Sequence, residues 1–380
     1  MSERSFSPTN PPSVRIVLLF GRVTRMTATP ETAATEALIA SAERYRRLLR
    51  RACWTGLPLA FAAILFVLGH PLFVRWQLRQ HGWTLGSLLN RRVLPTWIPH
   101  RAAPWIGRIE EAKLERAPLR VSDLELLRQF PHISLLELKA TDITAPELEI
   151  ISQLSQIRVL GLSSVHLDGG GLNHFALLPN LAHVSFFDMN LDDAAFESLT
   201  AFPEVYQLSL QQTSFADKSL RHLSRMSRLR DLSLMGCNLS NDGLDYVANC
   251  ATIYGLYLSD ARITDAGVSS LSRLSGLEHL TLHRCLLSDA GAKQLVESCP
   301  NLKMLSIFEA PMTDAALHEL ARLPNLQGLT LGDMPITDGG ILELKSCTTL
   351  KSLSLWRARV TSAGTTELRK ALPTLEVSIH

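Results

Sequence analysis

Histidines, cysteines and glycines at short spacing are where this sequence would hold its chemistry, and three places qualify. His279 and His283 stand four residues apart in HLTLH, and two imidazoles on one extended segment could begin a metal site or an acid–base pair. A protein metal site needs three or four converging ligands, and no further Cys, His or carboxylate is indicated beside them. Gly169, Gly170 and Gly171 make a flexible turn, but without a following Lys and Ser or Thr they are not a phosphate loop. Cys250, Cys299 and Cys347 recur at nearly the same place in a repeated unit, which favours core packing over nucleophilic catalysis. The expectation is a chain that is not an enzyme, with no catalytic, cofactor or metal residues.

The elements that position these residues follow from a period. The first apolar residue of each unit falls at Ile133, Ile157, Leu181, Val205, Leu229, Ile253, Leu277, Leu302, Leu326, Leu350 and Leu375, at intervals of 24 or 25 residues. That regularity identifies a solenoid of ten full repeats and the start of another over 133–380. Within a unit, counting that first residue as offset 0, apolar side chains return at offsets 3 and 5, as in Leu229, Leu232 and Leu234, and predict a short strand with an inward face. A small residue at offset 8 marks a tight turn, and an apolar one follows at offset 10. Then comes a helix start such as Thr264-Asp265-Ala266-Gly267, in which the hydroxyl caps and the carboxylate favours the first turn. Val268, Leu271 and Leu274 predict one buried face of a convex-side helix.

LEHLTLHRC (277–285), LRDLSLMGC (229–237) and ITDAGVSSL (263–271) carry a resemblance to leucine-rich repeat proteins of the ribonuclease-inhibitor-like, cysteine-containing kind. CPNLKML (299–305) resembles the repeat junction of F-box leucine-rich proteins. The resemblance implies an α/β fold, a curved stack of parallel strands with helices on the convex side, and says little about molecular function. One period earlier, Ile109, Leu114 and Leu119 place a degenerate N-terminal capping repeat at 109–132.

Ahead of the repeats the composition changes. Residues 1–120 carry 18 Lys and Arg against 7 Asp and Glu, whereas 121–380 carry 20 against 29, so the net charge of +2 is a cancellation. Five of the six tryptophans also lie in the basic part. Residues 1–43 read as a flexible N-terminal segment, 44–76 as a basic flank and transmembrane helix, and 77–108 as a juxtamembrane connector. The uncharged stretch 52–74 is long enough to cross a bilayer, since the steps from Trp54 to Trp76 cover about 33 Å against a hydrocarbon core of roughly 30 Å. Arg44, Arg46, Arg47, Arg50 and Arg51 precede it, which predicts a cytoplasmic N-terminus, an extracytoplasmic repeat domain and a single-pass membrane protein. Arginines that bracket an apolar span point to lipid and away from nucleic acid. Both Met1 and Met26 stand as candidate starts.

Partner selection is expected on the strand positions that face away from the core. Offset 4 is mostly Ser and Thr, and offset 6 adds large side chains. The candidate partner-binding residues are Phe187, Met235, Tyr257, His279, His283, Phe308 and Trp356. Alternating charges at offset 7, from Asp188 and Asp260 to Arg284, Glu309, Asp333 and Arg357, suit a partner of mixed charge. The expected function is a membrane-anchored interaction or scaffold module that binds a protein through its concave face. Two alternatives stay open: a substrate receptor of a ubiquitin ligase, although no F-box is visible, and a catalytic ectodomain that would use His279 and His283. The C-terminal ALPTLEVSIH ends on a strand start, which adds self-association through that edge as a further expectation.

Overall fold

Each LxxLxL segment forms a five-residue strand, and successive strands pair one repeat apart. In the computed structural model, which describes residues 73–86, 109–167 and 171–380, this builds a thirteen-stranded sheet in chain order, from Trp83–Gly86 and Glu111–Glu115 to Ser352–Trp356 and Glu376–Ile379. All neighbours are parallel except the first pair. The inward leucines, such as Leu229, Leu232 and Leu234, are fully buried and stack coil on coil into one continuous core. The result is a leucine-rich-repeat-like α/β solenoid, with the strands on one side and short helices on the other.

Two ladders join the coils, the first along the whole stack and the second over its C-terminal half. At offset 7 the backbone is left-handed in every coil, with φ between 49° and 53° at Arg116, Ala140, Ser164, Asp188, Gln212, Asp260, Arg284, Glu309, Asp333 and Arg357, and 68° at Gly236. Such a conformation costs a non-glycine residue about 1–2 kcal/mol. It is held because the N–H of each of these residues donates to the offset-6 carbonyl of the next coil, at 2.7–3.0 Å, from Arg116–Lys139 through Asp260–His283 to Asp333–Trp356, and in the shortened last coil Arg357 donates to His380, at offset 5. The charges expected at this offset thus sit on a backbone ladder.

The second ladder explains the Thr-Asp motif. The Asp265 carboxylate accepts both the N–H (2.8 Å) and the hydroxyl (2.5 Å) of Ser288, the cap of the next helix. Asp289 does the same for Thr313, Asp314 for Thr337 and Asp338 for Thr361. These carboxylates act between coils as well as within their own first turn. They also account for a glycine in the following helix: a Cβ on Gly340 would lie 2.7 Å from the Cγ of Asp314.

The expected convex-side helices take two forms, α and 3-10. Asp217–Arg225 is a 3-10 helix, and the α-turn Asp265–Val268 continues as the 3-10 segment Ser269–Arg273. Spacing does not decide between the two forms: Leu220, Leu223 and Met226 in the 3-10 coil recur every third residue, and so do Leu317, Leu320 and Leu323 in the coil of the α-helix Asp314–Leu320. The longest convex α-helices are Asp289–Ser298 and Ser362–Ala371.

The N-terminal end requires a correction. The degenerate repeat 109–132 does supply a strand and the helix Val121–Leu127, but it is not the outermost layer. Residues 73–80 are helical, and Trp83–Gly86 pairs antiparallel with Glu111–Glu115, Trp83 facing Leu114. Val74, at 2% exposure, packs with Leu78, Trp83 and Leu85 onto the end of the core. Residues 73–74, expected to face lipid, and 77–86, expected to be connector, therefore belong to the solenoid cap. An uncharged run in sequence does not distinguish a lipid-facing side chain from a protein-facing one. Gly82, at φ +89°, makes the turn into the strand and leaves room for Ala117, whose Cβ would lie 2.9 Å from an added Cβ. Asp123, fully buried, accepts from Trp83 Nε1 at 3.1 Å and meets His81 Nδ1 at 2.6 Å, which fastens the cap. The rest of the expected span 52–74 and of the connector lies outside the described residues, as do Gly169 and Gly170. Among the described residues no helix is long and apolar enough to cross a membrane.

The C-terminal strand also departs from the repeat. Leu375 opens the last unit, yet Val377 and Ile379 pair with Leu353 and Leu355, a register of 24 residues in which the final coil is one residue short. This keeps the inward column continuous and leaves Ile379 exposed on the last strand.

Candidate concave binding face

The strand register decides which of the expected residues share a surface. Phe187, Gln211, Met235, Ser259, His283, Phe308, Gly332 and Trp356 follow one another across adjacent strands as a single row. Seven steps of about 4.8 Å make this row roughly 34 Å long. Tyr257 lies in the neighbouring offset-4 row, between Ser233 and Thr281, and His279 lies in the offset-2 row, between Gly255 and Met304. All seven candidates therefore reach the sheet face that points away from the core, in three rows.

Large apolar side chains stay open to solvent there: Phe187 is 38% exposed, Met235 41% and Trp356 44%. Phe308 is half-buried because it lies down over the next coil; a Cβ on Gly332 would be 2.6 Å from Phe308 Cε1 and 3.2 Å from Trp356 Cβ. Trp356 in turn stacks on His380 with ring centroids 4.1 Å apart, and the His283 ring meets Phe308 edge-on at 5.9 Å. The C-terminal half of the row is thus a run of rings that support one another while keeping an outer face. Of the hydroxyl floor at offset 4, Ser209 is buried and Ser185, Ser233, Thr281, Ser306, Thr330 and Ser354 are half-buried, so the sheet between the rings is shallow and polar.

The two histidines do not converge. They are four residues apart along one strand, roughly 13 Å, and each has its own partners. His279 Nε2 lies 3.2 Å from the Tyr254 hydroxyl, with the rings 4.7 Å apart. The nearby Glu278 carboxylate holds the Tyr254 phenol above its ordinary pKa, while Lys303, 2.5 Å from Glu278, holds the Glu278 carboxyl below its own. His283 lies between Ser259, whose Oγ is 3.0 Å from Nδ1, and Glu309, whose Oε1 is 3.1 Å from Nε2. Arg284 donates to Glu309 (2.9 Å) and Asp260 (3.2 Å); it holds the Glu309 carboxyl below the usual range, while the Asp260 carboxyl is held down first by the Ser259 hydroxyl and then by Arg284. Hydroxyl, imidazole and carboxylate are here in hydrolase order, but Ser259 is 4% exposed and its proton is directed at Asp260 (2.7 Å), so no substrate carbonyl reaches the oxygen. Among the described residues no group of three or more His, Cys, Asp or Glu is arranged to hold a metal ion.

The cysteines behave as core residues. Cys237 and Cys285 fill the tight offset-8 position, Cys237 Sγ reaching the Leu210 carbonyl of the preceding coil at 3.3 Å. Burial pushes the thiols of Cys250 and Cys299 up to about 12 and that of Cys285 to about 11, which leaves almost no thiolate at neutral pH.

Ser259 and Glu309 escape a search by residue type, since their roles come from neighbours one repeat away. A period-long comparison shows them, because residues 24 or 25 apart are the side-by-side pairs. The glycines at 255, 328 and 332 are a second signal: each stands where a neighbouring Asp231, Met304 or Phe308 side chain occupies the space of a Cβ.

No protein-family model matches the chain, and no curated protein does. Among solved structures, an internalin (inlF) from Listeria monocytogenes overlaps 71% of this chain and 86% of its own, with 17% identity and a TM-score of 0.43. Internalin C2 (inlC2) from the same organism overlaps 54% of this chain and 83% of its own, with 26% identity and a TM-score of 0.42. At these TM-scores the likeness carries no argument, and the solenoid rests on the chain's own strand ladder.

Proposed function

We propose that this chain is a membrane-tethered interaction module whose concave sheet face binds a protein partner. One observation carries the reading: Phe187, Met235 and Trp356 remain exposed, and Phe308 half-exposed, along one row of a continuous parallel ladder of strands. Exposed apolar rings set among half-buried hydroxyls have the composition of a recognition surface, with anchors and a polar surround. The Asp260–Arg284–Glu309 chain and Arg357–Asp333 (3.0 Å) border the row with both charge signs, which suits a partner of mixed charge. The tether belongs to the proposal through the uncharged stretch 52–74 and its flanking arginines, which favour a cytoplasmic N-terminus and an extracytoplasmic solenoid. Self-association through Glu376–Ile379, an outer strand with Ile379 exposed, is a secondary element of the same reading.

The test is proximity labelling with the full chain in its native membrane, wild type against F308S/W356S. Both side chains lie on the surface, so the double variant keeps the circular dichroism of the solenoid. The reading expects a defined labelled partner whose recovery falls about ten-fold or more, the loss of two interface anchors of ~1 kcal/mol or more each. An unchanged set of labelled proteins at unchanged yield locates the interface elsewhere.

A further inference from the structure

Beside the concave face, a second surface is defined by arginines without partners. Arg158, Ala182, Tyr206 and Arg230 hold offset 1 in four successive coils, just before the strands, and their backbones join rung to rung: Ala182 N–H to Arg158 O at 2.8 Å, Tyr206 N–H to Ala182 O at 3.0 Å, Arg230 N–H to Tyr206 O at 2.8 Å. Together with Arg228 and Glu204 they line an open depression of about 600 Å³. Tyr206 lies in its middle with 47% of its surface exposed.

The charges here are arranged unlike those on the rest of the row. Further along offset 1, Lys303 is bound by Glu278 (2.5 Å) and Lys351 by Gln327 (3.1 Å). Arg228 is bound by Glu204 at 2.7 Å. Arg158 and Arg230 are exposed, and among the described residues their guanidiniums make no hydrogen bond and no ion pair. Asp231, next to Arg230 in sequence, faces the concave side against Gly255 and forms no ion pair with it. His183, beside Ala182, adds no charge, since burial lowers its pKa and favours the neutral ring. The depression therefore holds three arginines against one carboxylate, in a body where 121–380 carries 29 acidic against 20 basic residues.

We propose that this depression binds an extended, acidic segment of a protein partner. Three strand steps of about 4.8 Å separate Arg158 from Arg230, roughly 14 Å, and an extended chain at about 3.4 Å per residue covers that distance in about four residues. Two carboxylate side chains spaced by that interval take the two guanidiniums, whose planar forks match carboxylate geometry. The chain between them lies on the Tyr206 ring. This surface is distinct from the ring row, so it stands or falls separately from the proposed concave interface.

The test uses the full chain in detergent, with wild type compared against R158E/R230E and Y206S. The probes are beads densely coated with a peptide that carries two glutamates four positions apart, a matched peptide with glutamines, and vesicles rich in phosphatidylserine. Dense coating makes weak contacts readable through multivalency. The expected result is retention on glutamate beads about ten-fold above glutamine beads at low salt, lost at high salt, abolished in R158E/R230E and reduced in Y206S. Because neither arginine side chain supports the fold, the charge-reversal variant keeps its circular dichroism. Equal retention on both beads, or full retention of R158E/R230E, overturns the proposal. Loss of vesicle binding in R158E/R230E without any glutamate-bead retention overturns it in favour of a lipid surface.

Discussion

The carboxylate clamp between coils makes a coupled prediction at Asp314 and Gly340. Asp314 accepts the N–H (2.8 Å) and hydroxyl (2.5 Å) of Thr337, and the same carboxylate occupies the space into which a side chain at 340 would grow. D314A leaves both donors to water. Hydrogen bonds to a charged group contribute about 1.5–3 kcal/mol each, and partial exposure puts both near the bottom of that range, a total of about 3 kcal/mol. G340A forces a methyl to within 2.7 Å of the Asp314 Cγ, which costs about 1–3 kcal/mol by overpacking, offset by about 1 kcal/mol of helix propensity. A net loss of about 1 kcal/mol follows, at the mild end because Ala316 already occupies the matching place beside the Asp289–Thr313 clamp. In the D314A background the methyl has room and only the propensity gain remains, so G340A becomes stabilising by about 0.5–1 kcal/mol. The cycle predicts that the double variant is about 1.5–2 kcal/mol more stable than the sum of the single effects. Urea unfolding followed by circular dichroism measures the four stabilities, and hydrogen exchange of the helix Asp338–Glu343 locates the change. Additivity within about 0.5 kcal/mol, or equal harm from G340A in both backgrounds, would refute the clamp as the reason for the glycine.

Three further outcomes follow from the same structure. In a C53S chain, the five remaining cysteines should resist thiol reagents while native and react fully once unfolded, because all are buried and Cys250 and Cys299 titrate only near about 12; rapid native labelling would contradict this. H81A should leave buried Asp123 with Trp83 alone and loosen the cap by about 2–4 kcal/mol, read as faster hydrogen exchange over 73–86 and 109–130 with the distant coils unchanged. The Asp338 carboxyl is held down first by the Thr361 hydroxyl and then by its N–H. A depressed folded pKa gives stability that is present above the unfolded value and lost as pH falls through the folded one, so the thermal midpoint should drop below about pH 4, and by less in T361V.

Much of this was legible along the chain because residues one period apart are neighbours in space. The LxxLxL spacing reads directly as strand and core, since a side chain at offset 0, 3 or 5 has no alternative to the interior once the coils stack. The row of Phe187, Met235, His283, Phe308 and Trp356 follows from the same bookkeeping. What periodicity does not carry is direction between coils. Thr-Asp reads as a cap and a dipole contact, whereas the carboxylate of Asp314 turns toward the next coil. His279 and His283 share a strand, and only the side chains of Tyr254, Ser259 and Glu309 separate their surroundings.

The sequence by itself determined the repeat, the buried column and which residues reach the concave face, because those depend on a local period that every coil obeys. Tertiary structure decided the rest: the left-handed offset-7 ladder, the place of Val74 and Trp83 inside the cap, the one-residue shortening at Val377, and the unpaired arginines about Tyr206. Each of these depends on what stands on the adjacent coil. A carboxylate within hydrogen-bond reach, or the lack of one, is a property of two chain segments and not of either alone.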